Sequence, residues 1–206
     1  MMMNEILNYF DLLFPNPKCE LIYNNDFEFL ISVVLSAQTT DKKVNNVTRV
    51  LFNKYDIKSL KTAFLSDLED ILKPLGMANK KAIYIKNIAI KIDEEFNGVI
   101  PYEIDKLMSL DGVGRKTANL VLSTLYNYPY FAVDTHVMRV TKRLGLVSEN
   151  DDALKIEKKM YKLLPGDKIN RCHHQFVLFG RYYCKSKKPL CDNCKLKNIC
   201  KKESFE

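Results

Sequence analysis

Leu107-Met-Ser-Leu-Asp-Gly-Val-Gly-Arg-Lys-Thr-Ala118 joins two segments of helical periodicity through a turn that contains two glycines. Gly112 and Gly114 allow the positive φ angles of a tight turn, which aims consecutive backbone N–H groups outward at the start of the second helix. Those groups lack intrahelical partners and lie at the positive end of the helix dipole, an arrangement that binds anions. Arg115 and Lys116 add two cations there. The stretch is therefore either a plain connection between helices or a phosphate-binding hairpin.

Helical periodicity continues on both sides of this hairpin, with apolar residues recurring at spacings of three and four. Asp26 is placed to cap an apolar helix, and Ser66 and Glu69 have capping-box spacing. A long helix that begins near Asn79 should stop at Gly98. Strand alternation is scarce and no internal repeat is found, so we predict an all-α protein. Its later helices are expected at residues 115–126, 134–144, 151–164 and 169–183.

The charge of the chain is unevenly distributed. The 206 residues carry a formal net charge of +7, and eight basic residues between Arg181 and Lys202, against the single acid Asp192, account for the whole excess. Such a run is either a solvated surface or a patch that faces phosphates, where counterion release makes affinity depend on salt. No apolar run approaches the roughly 20 residues that span a bilayer, and no basic leader precedes the first helix. We therefore expect a cytoplasmic protein without a membrane partner.

Four of the six cysteines follow a C-x6-C-x2-C-x5-C spacing near the C-terminus: Cys184, Cys191, Cys194 and Cys200. Thiolates this close together in a cytosolic protein bind metal more often than they form disulfides. Zinc sites with four cysteines commonly use two C-x2-C pairs, whereas this array has one. The spacing alone leaves zinc and an iron–sulfur cluster equally open. Cys19 and Cys172 are expected to be ordinary buried thiols.

Taken in order, these motifs resemble the endonuclease III family of helix-hairpin-helix DNA glycosylases. The likeness runs from about Asp26 to Cys200. It combines residues 110–118 with Val133-Asp-Thr-His136 and the cysteine array, and it adds shorter matches at 36–41 and 172–174. Several separated motifs at compatible spacing are far more specific than any one of them.

The resemblance implies a two-lobed helix-hairpin-helix DNA glycosylase fold. Residues 19–130 would form a six-helix barrel that contains the hairpin, at about 104–127. Residues 131–206 would join the N-terminal helix, 1–18, in a lobe whose four cysteines hold a 4Fe–4S cluster. Double-stranded DNA with damaged bases or abasic sites would lie across the groove between the lobes, and the protein would act as a monomer.

The implied activity is that of a bifunctional DNA glycosylase and AP lyase of base excision repair, acting on oxidised pyrimidines. Lys116 would attack the sugar C1′ as the base departs, and the resulting imine would permit β-elimination. A lysine in the first turn of a helix, beside Arg115, meets a positive dipole and a like charge, both of which favour the neutral amine. From its local sequence alone, Lys116 is instead more typical of a phosphate ligand.

Asp134 is the paired carboxylate that the resemblance implies, and it would stabilise positive charge on the sugar. It can also cap a helix that begins at Thr135.

Enzymes of this kind flip the target nucleotide out of the duplex. By resemblance, Gln38 faces the orphaned partner base and Met77 is an apolar wedge. The alternative is that they are an ordinary helix-end glutamine and a surface-loop methionine.

Asp111 departs from the family, which usually has proline there, and it either weakens the phosphate contact or braces the turn. The remaining expected DNA contacts are Gly112, Gly114, Arg115, Lys185, Lys187 and Lys188.

Four other interpretations share some of these features. The adenine glycosylase branch has the cluster and the aspartate but lacks a lysine at the position of Lys116. The 8-oxoguanine branch keeps the lysine and typically lacks the cluster. A non-enzymatic DNA-binding module with structural zinc, or a small redox carrier, would explain the cysteines without any catalysis by Lys116.

Overall fold

The computed structural model describes residues 2–201, so Met1 and residues 202–206, including Lys202 of the basic run, lie outside it. Within that range the chain forms helices and no strand, which confirms the predicted all-α class. The α-helices are α1 Met2–Leu13, α2 Asp26–Leu35, α3 Asp41–Lys54, α4 Ile57–Thr62, α5 Leu65–Leu72, α6 Ala78–Glu95, α7 Ile104–Met108, α8 Arg115–Tyr126, α9 Thr135–Arg143, α10 Ala153–Leu163 and α11 Ile169–Tyr182.

The chain divides into two compact units. We call residues 20–126 the hairpin unit, because it contains α7 and α8. Residues 1–19 and 127–206 form the cysteine unit, in which the first helix packs with the C-terminal part of the chain.

The core of the hairpin unit is built around α2, which is apolar on almost every side. Phe29, Leu30, Ile31 and Leu35 are fully buried, and α2 packs against α3, α6 and α8. A helix that is apolar all round is stable only where other elements surround it. α8 contributes Ala118, Val121 and Leu122 to the buried set, so the second helix of the hairpin is anchored by its apolar face.

Several aromatic side chains pack together in the core of the cysteine unit. The ring centroids of Phe10 and Phe176 lie 5.0 Å apart in an edge-to-face arrangement, and both rings are fully buried. Asp11 of α1 accepts hydrogen bonds from Arg171 at 2.7 Å and from Gln175 at 2.8 Å. These contacts fix α1 against α11.

Two of the predicted helix caps are wrong. Asn25, rather than Asp26, caps α2, because its side-chain oxygen accepts from the N–H of Glu28 at 2.9 Å. Asp26 becomes the first residue of the helix, where its charge faces the positive end of the dipole. The capping-box spacing of Ser66 and Glu69 is not used, since α5 begins one residue before Ser66 and Glu69 instead accepts from Asn79 at 2.7 Å.

Candidate active site and cysteine segment

The turn of the hairpin depends on Gly112. This residue has a φ of +73°, and a Cβ atom there would lie 2.5 Å from Cδ2 of Tyr84, so both conformation and space require glycine. Gly114 has an ordinary φ and open space around it, so the positive φ expected of both glycines is wrong for Gly114. Its carbonyl instead accepts the N–H of Ala118 at 2.9 Å, the first internal hydrogen bond of α8. The N–H groups that precede that of Ala118 in the first turn have no acceptor within the helix, and such groups can bind an anion.

Helix α6 braces this turn through contacts that the sequence did not reveal. The Tyr84 ring packs against Gly112, and Lys91 Nζ donates to the Ser109 carbonyl at 3.1 Å. Asn87 Nδ2 donates to Asp111 Oδ2 at 2.8 Å. Of the two possibilities for Asp111, the geometry therefore favours a brace. The three α6 residues have i, i+3, i+7 spacing, which places them on one helix face but does not identify what that face contacts.

Lys116 is the second residue of α8 and is exposed. Among the residues that the structure describes, its ammonium group forms no hydrogen bond or ion pair. Arg115 precedes it at the same positive helix end. The lysine is thus held at a defined place by the backbone, and its side chain is not engaged in a structural contact.

Asp134 caps α9, as its position before Thr135 predicted. Its Oδ1 accepts from the N–H of Val137 at 2.8 Å, and the residue is half-buried. Within the described part of the chain, Oδ2 accepts no hydrogen bond. One carboxylate oxygen therefore fixes the orientation of the side chain, and the other can interact with a bound molecule.

His136 is the second residue of α9 and lies in a tight contact with α11. A Cβ atom on Gly180 would come 2.8 Å from Cβ of His136, so the two helices approach closely here. Burial lowers the pKa of His136, and its Nδ1 lies 3.3 Å from Arg139 Nη2. Helix packing accounts for this histidine.

Gln38 and Met77 share an unusual backbone conformation. Gln38 has a φ of +58° and Met77 a φ of +51°, and both side chains are exposed. A residue other than glycine in the left-handed region costs on the order of 1–2 kcal/mol. Such strain persists only where the surroundings impose it, and it is concentrated at functional sites.

The four cysteines of the array line one cavity. Their thiols are half-buried, and apolar neighbours including Leu144, Phe179 and Leu190 complete the walls. Among residues 2–201, no three His, Cys, Asp or Glu side chains converge on a point at which a single metal ion could be held.

Two arginines of α9 fix the segment that carries the array. Arg139 Nε donates to the carbonyl of Cys184 at 3.0 Å, and Arg143 Nη1 donates to the carbonyl of Lys185 at 2.8 Å. Arg143 Nη1 also lies 3.5 Å from the Cys184 sulfur. The first cysteine is thus tied to α9 independently of any bound group.

The basic side chains expected to approach DNA are exposed on this segment: Lys185, Lys187 and Lys188.

Outside the array, Cys172 is buried as expected, and burial raises the pKa of its thiol to about 11. Cys19 is only half-buried, so the expectation of a buried thiol is wrong there. No helix in the described range is both long enough and apolar enough to cross a bilayer.

Comparison with known proteins agrees with this geometry. Residues 31–166 match the family model of the HhH-GPD superfamily base excision DNA repair proteins. Endonuclease III of Bacillus subtilis (strain 168) is 42% identical over 190 residues, which cover 92% of this chain and 87% of that protein.

Two solved structures of endonuclease III are also similar. A non-covalent complex with DNA superposes with a TM-score of 0.94 at 41% identity, covering 98% of this chain and 95% of the other. A trapped covalent intermediate with DNA gives a TM-score of 0.93 at 41% identity, covering 98% and 97%. The chain therefore belongs to the endonuclease III family, within the HhH-GPD superfamily of base excision DNA repair proteins.

Proposed function

We propose that this chain removes oxidised pyrimidines from double-stranded DNA through an imine on Lys116 and then nicks the strand by β-elimination. Its family membership makes it a DNA glycosylase and lyase of base excision repair. The observation that carries the assignment of Lys116 is its exposed and uncommitted side chain directly after the Gly112 turn. The covalent intermediate trapped for a relative that is 41% identical supports chemistry of this type.

The reaction needs Lys116 as a neutral amine. Its lone pair forms a bond to C1′ of deoxyribose while the bond between C1′ and the base breaks, and the base leaves with the electron pair and takes up a proton. The C1′–O4′ bond then breaks as the nitrogen lone pair forms the C1′=N bond of an imine, and the proton lost from nitrogen passes to O4′. Loss of a C2′ proton expels the 3′ phosphate and cuts the strand, and water finally releases the lysine.

Asp134 complements this chemistry through its carboxylate. The N–H of Val137 donates to one carboxylate oxygen at 2.8 Å and fixes the orientation of the side chain. We assign the other oxygen to stabilising the positive charge that develops on the sugar. Preorganised charge of this kind stabilises a transition state without reorganisation at the moment of reaction.

DNA binding is assigned to three groups of residues. The start of α8, with Gly112, Gly114 and Arg115, is suited to a backbone phosphate. Gln38 and Met77 are assigned to the gap that the flipped nucleotide leaves. The exposed lysines of the cysteine segment are assigned to longer-range phosphate contacts, which add affinity that falls with salt: Lys185, Lys187 and Lys188.

The cysteine array fits a 4Fe–4S cluster. Four half-buried thiols line one cavity, and four cysteine thiolates are the ligand set that holds such a cluster. Cys184, Cys191, Cys194 and Cys200 would hold the cluster, which when bound supplies thiolate–iron bonds that cross-link the segment. Arg139 and Arg143 support the segment from α9.

Replacing Cys194 with serine is expected to remove most bound iron and sulfide and to lower the melting temperature, because the cross-link through residues 184–200 is lost. Iron and sulfide analysis together with thermal unfolding measures both effects. Cys19→Ser is the matched control, since Cys19 lies outside the array, and it should retain the wild-type iron content. Stoichiometric zinc in the wild-type protein, or full iron content in Cys194→Ser, contradicts the assignment.

Borohydride trapping tests the proposed function directly. The wild-type protein is incubated with a duplex that contains thymine glycol in the presence of borohydride, which reduces an imine to a stable adduct. We expect a covalent complex on damaged but not undamaged duplex, with peptide mapping that locates the DNA on Lys116. Release of thymine glycol without any adduct would instead indicate direct hydrolysis by water.

A further inference from the structure

Lys81 is a buried lysine that takes no part in the proposed catalytic steps. It lies near the start of α6 and is only 2% exposed. Lysine is rarely buried unless its charge is paired. Within the described residues no carboxylate pairs with Lys81, and burial lowers the pKa of its amine.

Two backbone carbonyls take the place of a counter-ion. Lys81 Nζ donates to the carbonyl of Ala37 at 3.1 Å and to the carbonyl of Leu75 at 3.2 Å. Ala37 follows the end of α2, and Leu75 ends the 3-10 turn Lys73–Leu75. The carbonyl end of a helix is the negative end of its dipole, so a cation is favourable at this position.

These two carbonyls lie one and two residues before Gln38 and Met77, which both have a left-handed backbone conformation. The peptide that contains the Ala37 carbonyl continues into Gln38, and the Leu75 carbonyl lies two residues before Met77. The backbone N–H of Lys81 also donates to the carbonyl of Met77, at 3.0 Å. Lys81 therefore anchors both the loop that contains Gln38 and the loop that contains Met77.

We propose that Lys81 is a positioning residue that holds the Gln38 loop and the Met77 loop in a fixed relation for entry into the DNA duplex. This inference rests on the proposed roles of Gln38 and Met77. A single ammonium group that bonds to both loops prevents either from moving independently. It also offsets part of the backbone strain, which persists only where neighbouring contacts impose it.

The first experiment follows insertion without any chemistry at Lys116. The duplex carries tetrahydrofuran, an uncleavable abasic analogue, opposite 2-aminopurine, whose fluorescence reports unstacking of the orphaned base. Lys81→Met keeps the apolar stem and removes the charge, and we expect the fluorescence change on binding to slow by about tenfold or more. A rate equal to that of the wild type would overturn the inference.

Lys86→Met is the matched control. Lys86 lies on the same helix, is half-buried, and donates to the carbonyl of Ala63 at 2.8 Å, which belongs to neither loop. We expect this variant to keep the wild-type insertion rate. Equal slowing in both variants would mean that any loss of an α6 lysine contact has this effect, and the inference would be wrong. If Lys81→Met does not fold, Lys81→Arg keeps the charge, and its larger head group should also displace the loops and slow insertion.

The second experiment asks whether Lys81 acts through the two loops. In single turnovers on thymine glycol, Lys81→Met should slow base removal by about 10–100-fold. Added to the double variant Gln38→Ala, Met77→Ala, it should cause little further loss, because residues that act as a unit are not additive. Fully additive losses would show a general structural role instead. The fluorescence result stands even if Lys116 proves not to be the nucleophile, so failure of the inference is distinguishable from failure of the proposed function.

Discussion

Replacing Lys116 with glutamine is expected to abolish the borohydride-trapped adduct and to slow strand cleavage by at least about 10³-fold. An amide side chain cannot form an imine, so neither the covalent step nor β-elimination through it can proceed. The fold should be unaffected, because Lys116 is exposed and its side chain has no partner among the described residues. Substitutions at such positions usually change the free energy of unfolding by no more than about 0.5 kcal/mol. Gel separation of trapped and cleaved products measures both effects.

Lys106→Gln provides the control for this experiment. Lys106 lies on the first helix of the hairpin, and its exposed ion pair with Glu103, at 2.8 Å, contributes little to stability. This variant should form the adduct at the wild-type rate. Lys116→Gln should still bind a duplex that contains tetrahydrofuran, which would show that chemistry, and not affinity, has been lost. An adduct that persists in Lys116→Gln would remove Lys116 from its catalytic assignment.

The helices that form the hairpin and the C-terminal part of the chain could be predicted well because their signals are local. α8 begins at Arg115 and ends at Tyr126 as predicted, and α11 ends one residue before the predicted position 183. The glycine turn and the Asp134 cap are likewise encoded within a few residues. Family resemblance then supplied chemical roles that spacing alone had left open.

The supports of the candidate site could not be predicted, because they join residues distant in sequence. Asn87 contacts Asp111 across 24 positions, and Lys81 reaches Ala37 across 44. In the sequence, Lys80 and Lys81 are two adjacent lysines at the start of a helix. The sequence does not distinguish them, because the packing of α6 determines that Lys80 is exposed and Lys81 is buried.

Cap predictions failed for a related reason. Asn25 and Asp26 are both good N-cap residues, and a shift of one position changes which side chain reaches the free N–H group. Local spacing marks the region of a helix start, whereas the exact residue depends on how the helix is packed.

Asp134→Asn is expected to separate the two functions of this carboxylate. Asparagine caps helices about as well as aspartate, so the bond to the N–H of Val137 should be kept and the melting temperature should change little. The negative charge is lost, and base removal should slow by about 10²–10³-fold if that charge stabilises the sugar cation. Asp134→Ala should lose the cap as well and cost about 1 kcal/mol of stability. Single-turnover kinetics and thermal unfolding measure the two effects separately.

Asp152 provides a control of the same type elsewhere in the cysteine unit. It caps α10 by accepting from the N–H of Lys155 at 2.8 Å, as Asp134 does for α9. Asp152→Asn should therefore leave both stability and base removal unchanged, and Asp152→Ala should reduce stability alone. If Asp134→Asn also kept the wild-type rate, the carboxylate would act only as a cap. The positive charge on the sugar would then need another partner, because a lysine that attacks as a neutral amine brings no negative charge to stabilise it.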